Sequence, residues 1–176
     1  LRSKKDLLIL LGVSAISVML WFVKLDLPSL PREYALFFIN KTASLPRGLY
    51  LKIPAWDFKE GDYVVYQPTL CAQEIANRRG WLESDGLLLK QVGALSGTEY
   101  RISPKTGSFF IRDQYYGKAY PVDREGKEMP VSYGLFIVPK DSFLPVGTAP
   151  RSFDGRYTGT VPLKNIVAKV VPLLTE

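Results

Sequence analysis

The sequence predicts a mainly β domain of antiparallel sheets with one short helix, preceded by a single apolar helix at the N-terminus. Three observations predict it. From residue 34 onward, short runs rich in Val, Ile, Leu, Tyr and Phe alternate with Gly and Pro turns. One segment alone, residues 70–80, carries apolar residues at helical spacing. Residues 7–23 form a stretch of seventeen side chains without a charge.

Taken in order, residues 7–23 come first. Their length sits at the lower limit for a membrane-spanning helix. Trp21 and Phe22 lie at the far end, where aromatic residues favour the interface, and Arg2, Lys4 and Lys5 precede the run. The positive-inside rule then places the N-terminus in the cytoplasm and everything after Lys24 outside it. A cleavable signal peptide has a similar start, but Trp21-Phe22-Val23-Lys24-Leu25-Asp26 offers no small-x-small cleavage site. A buried core helix is the other alternative; the run has no polar face. The expected organisation is a signal anchor over 1–24 and an extracytoplasmic domain over 25–176. The chain opens on Leu1 rather than Met, which leaves its native start open.

Pro28 and Pro31 mark a linker. Strands are expected at 34–39, 48–53, 61–66, 87–92, 100–102, 109–111, 114–116, 134–138 and 166–171, punctuated by Pro54 and Pro68 and by turns at Gly107, Gly117, Gly126 and Gly134. Between them, Ala72, Ile75 and Ala76 recur at helical spacing and Gly80 is a stop signal, which predicts one short helix. Many short strands with regular turns argue for a sandwich or barrel-like arrangement.

Composition excludes several classes of function. The chain has 176 residues, 47% of them hydrophobic, enough for one cored domain plus an accessory segment. Its net charge of +6 is concentrated at the N-terminus; residues 25–176 hold 19 basic and 16 acidic side chains, a net of +3. No basic cluster interleaved with aromatics argues for nucleic acid. A single cysteine, Cys71, rules out an intramolecular disulfide, and with no histidine the chain offers almost no zinc ligands. No metal or other cofactor is implied.

The missing histidine sharpens the reading of three segments. A serine hydroxyl needs a neighbouring base to attack at neutral pH, and the Ser-His-Asp arrangement is unavailable here. A desolvated lysine is the main remaining base, because burial disfavours its charged form. Ser44, in Thr42-Ala43-Ser44-Leu45-Pro46, precedes a Pro-Arg-Gly turn that exposes its hydroxyl and orients nearby N–H groups. Thr42 offers a further hydroxyl to the same oxyanion hole. Lys90, in Leu87-Leu88-Leu89-Lys90-Gln91-Val92, shares a strand face with Leu88 and Val92. It is therefore either an inward-facing functional lysine or an edge-strand lysine snorkelling to solvent. Ser152 and Asp154, in Ser152-Phe153-Asp154-Gly155-Arg156, come from a polar loop; Ser152 has the chemistry to aim a lysine amine, and Asp154 and Arg156 the spacing of a structural salt bridge.

Four segments in order resemble the boxes of type I signal peptidases. They are Ser44-Leu45-Pro46, Gly61-Asp62-Tyr63-Val64-Val65-Tyr66, Lys90-Gln91-Val92-Gly93-Ala94-Leu95-Ser96-Gly97 and Ser152-Phe153-Asp154-Gly155-Arg156-Tyr157-Thr158-Gly159. Ser44-Leu-Pro-Arg-Gly-Leu-Tyr50, Ala76-Asn-Arg-Arg-Gly-Trp-Leu82 and Asp123-Arg-Glu-Gly-Lys-Glu-Met-Pro130 look like the conjugation-transfer branch of that family, the TraF peptidases. The resemblance implies an antiparallel β fold, Ser44 as nucleophile, Lys90 as general base, Ser152 as the group positioning Lys90, and Thr42 as a side-chain oxyanion donor. It implies Asp154 and Arg156 as the supporting pair, with an Asp at this position tied to activity in the TraF branch. The implied partners are the lipid bilayer and a peptide or preprotein substrate, in this branch a propilin, matured on the periplasmic side of the inner membrane by hydrolysis or by cyclisation.

The chain also departs from the family. Leu45 replaces the usual Met after the serine, Gln91, Ser96 and Gly155 replace common residues of their boxes, and Pro145-Val-Gly-Thr-Ala-Pro150 stands where housekeeping enzymes carry Gly-Asp-Asn-Arg. The last departure argues against the first alternative, a housekeeping signal peptidase. The second alternative is a catalytically silent membrane-anchored scaffold of a secretion or conjugation system, which the presence of both Ser44 and Lys90 disfavours.

Overall fold

The computed structural model describes Ser14 and residues 34–176. The chain divides into one unit over Leu1–Tyr34, of which only Ser14, in helical conformation, and Tyr34 are described, and a second over Ala35–Glu176. The anchor expected over residues 7–23 thus lies outside the described residues apart from Ser14. Among the described residues no helix is long and apolar enough to cross a membrane.

The second unit is built from eleven strands in two antiparallel sheets. The larger sheet has the order β1-β2-β11-β3-β4-β9-β10, from β1 (Phe37–Asn40), β2 (Gly48–Ile53), β11 (Ile166–Thr175), β3 (Tyr63–Tyr66), β4 (Leu88–Leu95), β9 (Ser142–Val146) and β10 (Val161–Pro162). The smaller has the order β7-β6-β5-β8, from β7 (Gln114–Lys118), β6 (Ser108–Ile111), β5 (Glu99–Ile102) and β8 (Gly134–Ile137). A mainly β antiparallel fold is what the strand pattern predicted. Ala94, Leu144 and Val146 of the large sheet share a buried cluster with Tyr100, Ile102, Phe109 and Ile111 of the small one, so a common core joins the sheets.

Two features escape strand patterning. Strand β9 reads Ser-Phe-Leu-Pro-Val and is buried at every position, so it shows no alternation. Its Pro145 is tolerated because β10 pairs only with Ser142 and Phe143, leaving the far side of Pro145 without a ladder partner. The loop carrying Ser152 also tightens into a single helical turn, Gly155–Thr158, capped by the Asp154 carboxylate on the Arg156 N–H.

The predicted helix forms over Leu70–Arg78, with the Thr69 hydroxyl as N-cap and Ala72 and Ala76 buried. It ends in a Schellman motif: Trp81 N–H donates to Ala76 O and Gly80 N–H to Asn77 O. Gly80 has φ +66°, the left-handed conformation such an ending requires. This termination turns Trp81 into the cleft described next.

Candidate active site

Ser44 sits in the loop that joins β1 to β2, closed by the Asn40↔Gly48 pair of that hairpin. The loop is shaped by Asn40, which is buried at the end of β1. Its Nδ2 donates to Leu45 O and Pro46 O, both at 3.0 Å, and its Oδ1 accepts from Thr42 N at 3.1 Å and Thr42 Oγ1 at 2.9 Å. Both donors and both acceptor positions of the amide are thereby used. Thr42 Oγ1 also lies 3.3 Å from Ser44 Oγ. Because Asn40 Oδ1 can only accept, the Thr42 proton points to it, and the Ser44 hydroxyl donates to Thr42. Sequence reading passed over Asn40, although a strand-ending Asn whose carbonyl oxygen accepts from the N–H two residues on is a known turn former.

The Ser44 carbonyl is held from the opposite side. Thr148 donates to it twice, from N at 2.8 Å and from Oγ1 at 3.2 Å. Antiparallel pairing of β4 with β9 (Gln91↔Val146) carries the following residues, Gly147 onward, past Lys90. The segment 145–150, read from the sequence as a departure from the family, is therefore the clasp on the Ser44 backbone. The Ser44 N–H donates to no protein group among the described residues. Gly147 makes the close approach possible: a Cβ there would lie 2.1 Å from Ser152 Oγ and 2.9 Å from Ser44 O. Gly147→Ala is expected to cost about 1–3 kcal/mol by overpacking. It should also slow acylation of Ser44 by a small serine-reactive probe, and denaturation and labelling rates measured on one preparation check both effects.

Lys90, the third residue of β4, is 3% exposed. Its register partner is Val64, and Leu88 pairs with Tyr66. That places the lysine on the face that packs with Val64, Tyr66, Val92 and Phe143. Of the two readings left open by the sequence, the inward-facing one is what the structure shows. Burial drives its pKa down to about 8; the nearby Asp154 charge opposes this and the Arg156 charge reinforces it. Ser152 is also buried, and its Oγ has no hydrogen-bond partner among the described residues.

Asp154 and Arg156 are 0% and 2% exposed. Asp154 accepts from Arg156 Nε (2.9 Å), Nη2 (2.8 Å) and backbone N (3.2 Å), and from Gly147 N (2.8 Å). Arg156 spends its remaining donors on Pro150 O, Ala149 O and Lys118 O. All five guanidinium N–H groups are used. Burial opposes the Arg156 charge, and the hydrogen-bonded Asp154 carboxylate reverses this and raises its pKa. Neither residue lines the cleft; the pair holds the 147–150 loop that in turn holds Ser44.

Thr42, Ser44, Lys90 and Ser152 line one cleft of about 970 Å³. The structure thus brings together four of the six residues singled out from the sequence and puts the other two immediately behind them. Among the described residues no group of three His, Cys, Asp or Glu side chains converges as a metal site.

The family described as signal peptidase, peptidase S26, matches residues 7–174. A plasmid transfer protein TraF of Escherichia coli is 28% identical over 149 residues, covering 78% of this chain and 82% of that protein. A crystal structure of a signal peptidase I from Enterococcus faecalis V583 is similar at 13% identity with a TM-score of 0.41, over 67% of this chain and 100% of the other.

Proposed function

Since this chain belongs to the signal peptidase family, peptidase S26, we propose that it is a membrane-anchored serine endopeptidase that matures a propilin for conjugative transfer. The observation that carries this reading is a buried lysine, its pKa lowered to about 8, in the same cleft as an exposed-loop serine, in a chain without histidine. The similarity to a protein named for plasmid transfer supports the conjugation assignment. The uncharged run at residues 7–23 supports the anchor, with Ser44 about 20 residues beyond it and so within short reach of a bilayer. The basic residues before that run support an extracytoplasmic catalytic domain.

In the proposed reaction neutral Lys90 Nζ takes the Ser44 proton as Oγ bonds to the scissile carbonyl carbon. The Ser44 N–H, joined by a Thr42 hydroxyl turned away from Asn40, stabilises the oxyanion. Ser152 Oγ, buried beside the cleft and without a partner among the described residues, takes a hydrogen bond from the Lys90 amine in this step and aims it. The C–N bond breaks as the Lys90 ammonium returns its proton to the leaving amine. Water then attacks the acyl-enzyme, giving a proton to Lys90, which passes it to Ser44 Oγ as the acyl C–O bond breaks. If the substrate's own N-terminal amine replaces that water, the product is cyclic.

Cleavage of a candidate propilin by the full chain in membranes tests the proposal, with product masses read for wild type and Ser44→Ala. Loss of cleavage in Ser44→Ala is expected, and a product one water lighter than the linear form identifies cyclisation. Equal cleavage by Ser44→Ala removes Ser44 as nucleophile. A wild type that leaves propilin and ordinary preproteins intact overturns the peptidase reading.

A further inference from the structure

The cleft extends well beyond the four polar residues. Its apolar wall includes Trp81 and Leu82, just past the end of the helix, Val122 and Met129 of the 119–130 segment, and Phe153. Trp81 packs edge-on against Phe153 at 5.4 Å, and Phe153 stacks on Tyr157 at 6.2 Å. Trp81 is nevertheless 42% exposed and Val122 40% exposed. Large apolar side chains left half-open in a concave wall, on rigid supports, are the ordinary composition of a ligand subsite.

The wall is held in place by polar ties behind it. The Arg79 guanidinium bonds the Asp123 carboxylate and the Glu128 carbonyl, lies 3.8 Å from Met129 Sδ and sits 5.3 Å from the centre of the Trp81 ring. Both members of the Arg79–Asp123 pair are largely buried. Asp123 in turn accepts from Glu125 N and Lys127 N, which fixes the loop's turn. At the loop's other end Arg151 donates to Val122 O and Tyr120 N donates to Tyr157 Oη. One arginine thus ties the helix end, the indole and the loop into a single surface, although these segments are more than forty residues apart in sequence.

We propose that this wall is a subsite for one bulky apolar side chain of the peptide whose scissile bond lies at Ser44, with Trp81 as the specificity-determining contact and Arg79 as its positioning residue. The inference rests on the peptidase reading for the substrate's identity as a peptide. Continuity of the wall with the space around Ser44 and Lys90 is what assigns the occupant. An apolar contact of this kind discriminates Leu or Phe from Ala by about 10–200-fold.

The test uses extended Ala-based peptides with lysine ends, carrying a single Leu or Phe scanned along the chain. Binding is measured to the full-length Ser44→Ala chain, and cleavage by the wild type. At one position Leu or Phe should bind about tenfold or more tighter than Ala. Trp81→Ala in the same background should reduce that preference to about threefold or less, and Trp81→Phe should retain it. Arg79→Gln should lower the preference without changing the rate at which a small serine-reactive probe acylates Ser44 in the otherwise wild-type chain. A preference that survives Trp81→Ala, or cleavage with no bulky preference at any position, overturns the subsite and leaves the peptidase reading standing. Binding that shows the preference and its loss in Trp81→Ala, in a chain whose Ser44 neither cleaves nor acylates, supports the subsite and overturns the peptidase reading.

Discussion

Lys90→Met is expected to cut cleavage by about 10²–10⁴-fold while making the folded domain more stable at neutral pH. The two effects have one cause. Burial lowers the Lys90 pKa from its ordinary 10.5 to about 8, so the folded state disfavours the ammonium that the unfolded chain carries freely. Between about pH 8 and 10.5 the unfolded state binds one more proton than the folded state, and stability rises with pH across that window. Below pH 8 the penalty is fully present and amounts to about 3 kcal/mol. A methionine of similar length carries no such penalty. Urea denaturation should therefore show the variant more stable by about that amount at pH 7, with the gap closing as the pH approaches 10.5. Cleavage by the wild type should climb as pH rises through about 8, where the amine becomes neutral, and cleavage by the variant should fall by about 10²–10⁴-fold. A variant less stable than wild type at pH 7, or a stability gap indifferent to pH, would show that Lys90 carries no burial penalty.

Asp154→Ala is expected to have the largest cost to the fold. The carboxylate's partners are the Arg156 side chain and the backbone N–H groups of Arg156 and Gly147, all in a site closed to solvent. Removing it leaves a buried guanidinium uncompensated, an imbalance that costs about 3–5 kcal/mol. The same change frees the Gly147 N–H and loosens the loop whose Thr148 holds the Ser44 carbonyl. It also removes the charge that opposes the lowering of the Lys90 pKa. Denaturation of the full chain should register the loss, and acylation of Ser44 should slow with it even where the protein is still folded. A variant within about 1 kcal/mol of wild type, below the usual cost of breaking a buried pair, would mean that the pair does not carry the loop.

The parts of this fold that were legible in the sequence are those where local chemistry and tertiary context agree. β2 is found at the residues its apolar run and Pro54 mark out, and the helix over Leu70–Arg78 follows from the spacing of Ala72, Ile75 and Ala76 and the Gly80 stop, with Thr69 added by the structure as its N-cap. β9 was not legible, because total burial erases alternation and Pro145 reads as a break. β1 starts at Phe37 rather than Tyr34, since strand residues are set by pairing with β2 and not by propensity alone. Asn40 and Gly147 escaped for a different reason. Each matters through what it touches: four hydrogen bonds in one case, a missing Cβ beside Ser152 and Ser44 in the other.

By itself the sequence determined the family and the absence of a histidine solution, because these are properties of residue identity and order. Only the tertiary structure decided that Lys90 is buried rather than snorkelling, since that depends on β3 and β9 covering both edges of β4. It alone also decided that residues 145–150 clasp Ser44 and that Arg79 gathers Trp81, Asp123 and Glu128 into one wall. Desolvation and long-range contact exist only once the sheets have closed around these side chains, and no pattern along the chain encodes them locally.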